Sequence, residues 1–187
     1  MYQICISGAA KGHSVDMGHE LARTTGELIA KGGHALLTGA TMGLTNAAAQ
    51  AYKQAGGLMS IGISPASSKV EHVMKYRLPT KPYDVILYTA MHYIGRDVLL
   101  INSSDAVISI GGRLGTLNEA IIALETHTPI AFLEGGGGTG ADIREILRSA
   151  GREESDDILF GADPQILIDQ LTKILDTDHK RYIDLYE

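Results

Sequence analysis

The chain has 187 residues, 44% of them apolar, which suffices for one hydrophobic core and predicts a single domain over 1–187. Sixteen Lys and Arg against 22 Asp and Glu leave a net charge of −6. That balance argues against a nucleic-acid partner, whose phosphates need a clustered basic footprint, yet it leaves room for one phosphate group held by backbone N–H donors.

The single cysteine, Cys5, sits in the apolar run Ile4-Cys5-Ile6 and reads as a small core residue in a reducing cytoplasm. No run reaches the roughly 18 apolar residues of a membrane span, and the N-terminus enters a strand-like run with no basic region or cleavage site, so no membrane partner is expected.

In chain order, residues 3–7 predict a strand, 14–31 a helix and 34–38 a second strand. A helix over 46–54, strands over 58–64 and 85–89, and a helix over 96–102 follow. After a strand at 106–110, Leu117, Ala120, Ile121 and Leu124 recur at i, i+3, i+4 and i+7 and predict one buried helical stripe. Residues 130–133 predict another strand. Asp163-Pro164 then supplies a cap and a first-turn residue for a closing helix with Leu167, Leu171, Ile174 and Leu175 on its apolar face. Short apolar strands alternating with helices predict a Rossmann-like three-layer α/β/α fold, with a parallel sheet of about six or seven strands covered on both faces. Segments 65–82 and 135–138 read as irregular loops that either overhang a site or form mobile surface.

The strongest constellation is the strand Ser104-Asp105-Ala106-Val107-Ile108-Ser109-Ile110 running into Gly111-Gly112-Arg113-Leu114-Gly115-Thr116 and a helix. Glycines permit close backbone approach, and the helix N-terminus offers N–H donors and the positive end of its dipole, so an anion is the natural occupant. A second turn, Thr38-Gly39-Ala40-Thr41-Met42-Gly43-Leu44, and a weaker third, Gly8-Ala9-Ala10-Lys11-Gly12, belong at the same carboxyl edge of a doubly wound sheet. The predicted phosphate and nucleotide contacts are Gly8, Gly39, Thr41, Met42, Gly43, Gly111, Gly112, Gly115 and Thr116. The second strand ends without the carboxylate that holds a dinucleotide ribose, and 8–12 is not G-x-G-x-x-G, which disfavours NAD and FAD. The expected ligand is a nucleoside monophosphate or another phosphorylated nucleotide-like molecule, with no cofactor required.

Glu119 falls three residues after Thr116 and outside the apolar stripe, so it points either at the ligand edge or merely complements the helix dipole. Arg96, read as the start of its helix, would meet Glu119 over one groove, since a cation at a helix N-terminus opposes the dipole and is better explained by ligand contact. His92 is the one histidine near that groove. The seven histidines show no H-x-x-x-H or H-E-x-x-H spacing, which predicts no metal site, and Ser7, Ser109 and Cys5 lack a nucleophile elbow.

Arg96, residues 104–108 and the G-G-x-x-G-T-x-x-E run at 111–119 resemble the LOG family, including its bacterial relatives once labelled lysine decarboxylases. Thr41-Met42-Gly43-Leu44 and residues 62–65 match that family's order, and the likeness covers roughly residues 3–134. Ile110, where a proline is usual, places the chain closest to the branch with the molybdenum-cofactor carrier-like proteins. The resemblance implies two alternatives. One is a carrier or sensor holding a nucleotide or pterin-type phosphate. The other is a phosphoribohydrolase that cleaves the N-glycosidic bond of a nucleoside 5′-monophosphate, with Arg96 and Glu119 catalytic. It also implies a homo-oligomer, dimeric or tetrameric. Departures are Asn118 in place of a second acid, Asp97 in place of a lysine, and His92 four residues before Arg96. A pyridoxal phosphate decarboxylase is disfavoured, because no lysine falls in the 39–44 or 111–116 turns to form the Schiff base.

Overall fold

The computed structural model describes residues 1–138, 142–151 and 155–183, with side chains as far as residue 180. The elements are β1 (Gln3–Gly8), α1 (His13–Lys31), β2 (Ala35–Thr38), α2 (Leu44–Gln54), β3 (Ser60–Ser64), α3 (Lys69–Met74) and β4 (Val85–Tyr88). They continue with α4 (His92–Asn102), β5 (Ala106–Ile110), α5 (Leu114–Glu125), β6 (Ile130–Leu133), α6 (Ile143–Ser149), β7 (Ile158–Gly161) and α7 (Pro164–Ile183). All strands run parallel in the order β4-β3-β2-β1-β5-β6-β7.

Side chains alternate across a strand, so the central strands feed two cores. Ile4, Ile6, Leu36, Ile108 and Ile110 pack with α1, α2 and α7, whereas Cys5, Leu37, Val107, Ile130 and Phe132 pack with α4, α5 and α6. The result is the three-layer Rossmann-like arrangement. Each fully enclosed Ile or Leu contributes about 1.5–3 kcal/mol, so the apolar strand runs both specify the sheet and hold it.

From β1 the chain winds outward to β4 and then returns to lay β5 on the other side of β1. The crossovers therefore diverge between β1 and β5, which opens a crevice beyond their carboxyl ends.

The sequence expectation lacked α6 and β7, and four further details differ. Helix α4 begins at His92, a full turn before Arg96, because Met91 ends the preceding turn without any side-chain cap that would mark the start. The dipole argument for Arg96 therefore falls. The 65–82 segment contains α3, whose Ser68 accepts a bond from the Glu71 backbone N–H. This Ser-x-x-Glu capping pattern was masked by the flanking prolines. Strand β4 is an edge whose Val85 and Leu87 remain about half exposed, so it is not covered on both faces. On α5 the buried line is Thr116, Glu119, Ala120 and Ala123, while Ile121 is 45% exposed. By contrast, Asp163 Oδ1 accepts from the Gln165 and Ile166 backbone N–H groups at 2.8 and 3.3 Å and caps α7 as its sequence predicts.

Candidate functional site

The crevice holds a cavity of about 270 Å³ whose walls come from four separate segments. The β1–α1 turn supplies Gly8 to Lys11, the β2–α2 turn Gly39, Thr41 and Thr45, helix α4 Tyr93 to Asp97, and the β5–α5 unit Arg113, Gly115, Thr116 and Glu119.

Arg96 is only 4% exposed. Its Nη1 donates to the Ile63 carbonyl at 3.2 Å, and its Nε lies 3.1 Å from Asp97 Oδ1 but off the direction of a hydrogen bond, so the Nε proton has no partner. Its guanidinium lies over Gly39, where a β-carbon would sit 1.7 Å from Nη1. Only glycine allows that approach.

Glu119 is carried on the buried line of α5 and reaches across to β1, where the Ser7 hydroxyl donates to Oε2. Asn118 Nδ2 donates to Asp97 Oδ2 at 3.0 Å, and the Asp97 carboxyl interacts directly with that of Glu119. Burial pushes the Glu119 carboxyl up to about 7, against the nearby Arg96 guanidinium and with help from the Asp97 charge. Burial also raises Asp97, opposed by Arg96 and by the Asn118 bond. The pair titrates as a unit and holds a proton near neutrality. Beneath them, burial raises the Cys5 thiol, so it stays protonated and unreactive.

The upper lip carries cations. Lys11 and Arg113 line the cavity and are exposed, and among the described residues neither forms an ion pair. The Arg113 guanidinium lies against Gly12. Arg113 is also the N-cap residue of α5 and makes no side-chain cap bond. Thr116 is thus the third residue of the helix.

Of the residues picked from sequence, Gly8, Gly39, Thr41, Arg96, Gly115, Thr116 and Glu119 meet in this cavity. Gly111 and Gly112 do not line it. They are buried under residues 136–138, and a β-carbon on Gly138 would sit 2.2 Å from the Gly112 carbonyl oxygen. The four-glycine loop is thus packed against the turn. Met42 and Gly43 border a neighbouring shallow groove with Gly12 and His13, and the Leu44 N–H donates to the Ala9 carbonyl at 2.9 Å, tying the first two turns together. His92 lies outside the lining, bonded through Nδ1 to the Tyr76 hydroxyl at 2.8 Å.

Sequence reasoning did not assign Lys11, Thr45, Tyr93, Ile94, Asp97 or Arg113. Lys11 and Arg113 were detectable as cations inside glycine turns. Nothing in the spacing of Tyr93 or Ile94 marks them. Among the described residues, no three His, Cys, Asp or Glu side chains are grouped to hold a metal ion, and no helix is long and apolar enough to cross a membrane.

A parallel sheet with glycine turns at its switch point and a buried Arg–Glu pair defines a LOG-like Rossmann protein. The sequence model of the SLOG cluster4 family matches residues 1–168, and the chain belongs to that family. An uncharacterized protein of Archaeoglobus fulgidus is 35% identical over 134 residues, covering 72% of this chain and 81% of that one.

Among solved structures, the molybdenum cofactor binding protein of Rippkaea orientalis superposes with a TM-score of 0.75 at 25% identity, covering 93% of this chain and 97% of that one. The molybdenum cofactor carrier protein of Chlamydomonas reinhardtii gives 0.69 at 25% identity, over 92% and 98%. DNA processing protein A of Helicobacter pylori, a single-stranded DNA binder, gives 0.64 at 18% identity, over 92% and 80%, and shares the fold.

Proposed function

We propose that the protein binds a phosphorylated, nucleotide-type small molecule in the 270 Å³ cavity, as a carrier or sensor. The observation that carries this reading is the composition of the upper wall. Lys11, Arg113 and the first N–H groups of α5 at Gly115 and Thr116 converge there without carboxylate partners among the described residues. Such a wall suits an anion on both charge and dipole grounds. A cavity of this size suits a single small-molecule ligand. Similarity over more than nine-tenths of two molybdenum cofactor proteins supports a carrier of a pterin-type phosphate in particular.

A second reading rests on Glu119. A buried carboxyl that titrates near 7 beside an arginine is poised to exchange protons at neutral pH. In a phosphoribohydrolase its ionised form would take a proton from water as the C1′–N bond breaks, the hydroxyl adding to C1′ and the departing base nitrogen receiving that proton, which returns Glu119 to its ionised form. Its charge would also stabilise the oxocarbenium-like sugar.

Thermal-shift titration with nucleoside monophosphates and molybdopterin tests binding, since a ligand of the folded state raises the midpoint by mass action. Chromatography of the same mixtures tests turnover. Absence of a shift with every compound sinks the binding reading. Absence of free base, with a shift present, removes the hydrolase and leaves the carrier.

A further inference from the structure

The cavity has two unlike ends. Toward the β1 and β5 turns its lining is small, polar or cationic. Helix α4 adds the charged Arg96 and Asp97 and, from its first turn, Tyr93 and Ile94, the only large apolar side chains among the described lining residues. Both are displayed, Tyr93 with 45% and Ile94 with 64% of its surface exposed.

The chain goes to some trouble to hold them there. The turn before α4 places two residues other than glycine, Ala90 and His92, at φ +58° and +55°, a region that L-residues rarely adopt. It is tied down by Ala90 N–H to the Ala66 carbonyl at 2.9 Å, His92 N–H to the Pro65 carbonyl at 3.1 Å, and Met91 N–H to Thr89 Oγ1 at 3.2 Å. The Tyr93 ring is then braced edge-on by Tyr76, with centroids 5.6 Å apart and planes at 77°, and Tyr76 is itself anchored to His92. An edge-on brace leaves an aromatic face free.

We infer that Tyr93 is a stacking platform for a planar heteroaromatic ring, a purine or a pterin, carried by the same ligand whose phosphate the β1 and β5 turns hold, with Ile94 shielding the ring edge. This rests on the phosphate-binding reading and adds to it the half of the ligand that the glycine turns do not touch. Every heteroaromatic ring has a π-face, so stacking selects ring against no ring more strongly than one base against another.

The chain contains no tryptophan, so Tyr93→Trp introduces a single reporter at the subsite. Its fluorescence is followed within seconds of mixing with AMP, GMP, a pterin monophosphate, adenosine and ribose 5-phosphate. Affinities for the same set are measured for Tyr93→Ala and Tyr93→Phe. Expected are quenching by at least one ring-bearing phosphate and none by ribose 5-phosphate. Tyr93→Ala should weaken that ring-bearing ligand about tenfold while leaving ribose 5-phosphate unchanged, and Tyr93→Phe should restore it.

Purine against pterin preference identifies the source of the ring. Equal affinity of wild type and Tyr93→Ala for the ring-bearing phosphates overturns the subsite and leaves the phosphate reading standing. Adenosine binding as tightly as AMP overturns the phosphate reading instead. No binding of any of the five overturns both.

Discussion

The Arg96 guanidinium occupies the space in which a side chain on residue 39 would begin, with Nη1 1.7 Å from the position of that absent β-carbon. Gly39→Ala must therefore displace Arg96 from the Ile63 carbonyl. Overpacking of this kind costs about 1–3 kcal/mol, and the nucleotide-induced thermal shift should vanish with it. A Gly39→Ala protein that keeps the full shift would remove Arg96 from the binding site.

Protonation of Glu119 links stability to pH. Its folded-state value, about 7, lies above that of an unfolded glutamate, so the folded state binds the extra proton. The stabilisation is complete below about pH 4 and is lost as pH rises through 7. The effect belongs to the Glu119–Asp97 pair, whose protonated form folding favours. Thermal melts from pH 5 to 8 should show a midpoint that falls with pH, and Glu119→Gln should flatten the slope. An unchanged slope in that variant would place the titration elsewhere.

Asp97 helps hold Glu119 in its protonated form, so Asp97→Asn should let Glu119 ionise in its place as the counter-charge of Arg96. The pH midpoint of binding, or of base release, then moves toward acid. A profile superimposable on wild type would separate the two carboxyls functionally.

Lys11 and Arg113 are exposed and unpaired among the described residues, so their attraction for an anion is open to screening by salt. The double variant Lys11→Ala, Arg113→Ala should bind ribose 5-phosphate about tenfold more weakly in roughly 50 mM salt, with little loss left near about 1 M. Equal weakening at both ionic strengths would point to lost packing.

Gly138 has φ +70° and abuts the Gly112 carbonyl. Gly138→Ala should lower the melting midpoint by several degrees, through strain of about 1–3 kcal/mol, although residue 138 is outside the cavity lining. An unaltered midpoint would show that the loop does not brace the turn.

Much of this was legible in the sequence because the signals were local. The alternation of apolar runs gave the parallel sheet, and Asp163-Pro164 gave the start of α7, since a cap depends on neighbours within three residues. The 111–119 run led to Thr116 and Glu119 for the same reason. What escaped depends on residues far apart in the chain. Arg96 was placed at a helix start because nothing in residues 91–95 advertises the turn that precedes it. Glu119 was read as facing either the ligand edge or the helix dipole, and its spacing could not show that its partner is Ser7, 112 positions earlier. Val85 and Leu87 look like core strand residues and are half exposed only because β4 has no further neighbour.

The cavity draws its walls from residues 8–11, 39–45, 93–97 and 113–119, with no two walls contributed by one continuous stretch. No fragment shorter than β1 through α5 can present it, so the site forms only once those elements have docked. Ligand capture during refolding would therefore appear only after β1 through α5 have assembled. A bound ligand should slow amide exchange across β1, β2 and β5 together, and not merely at the turns it touches.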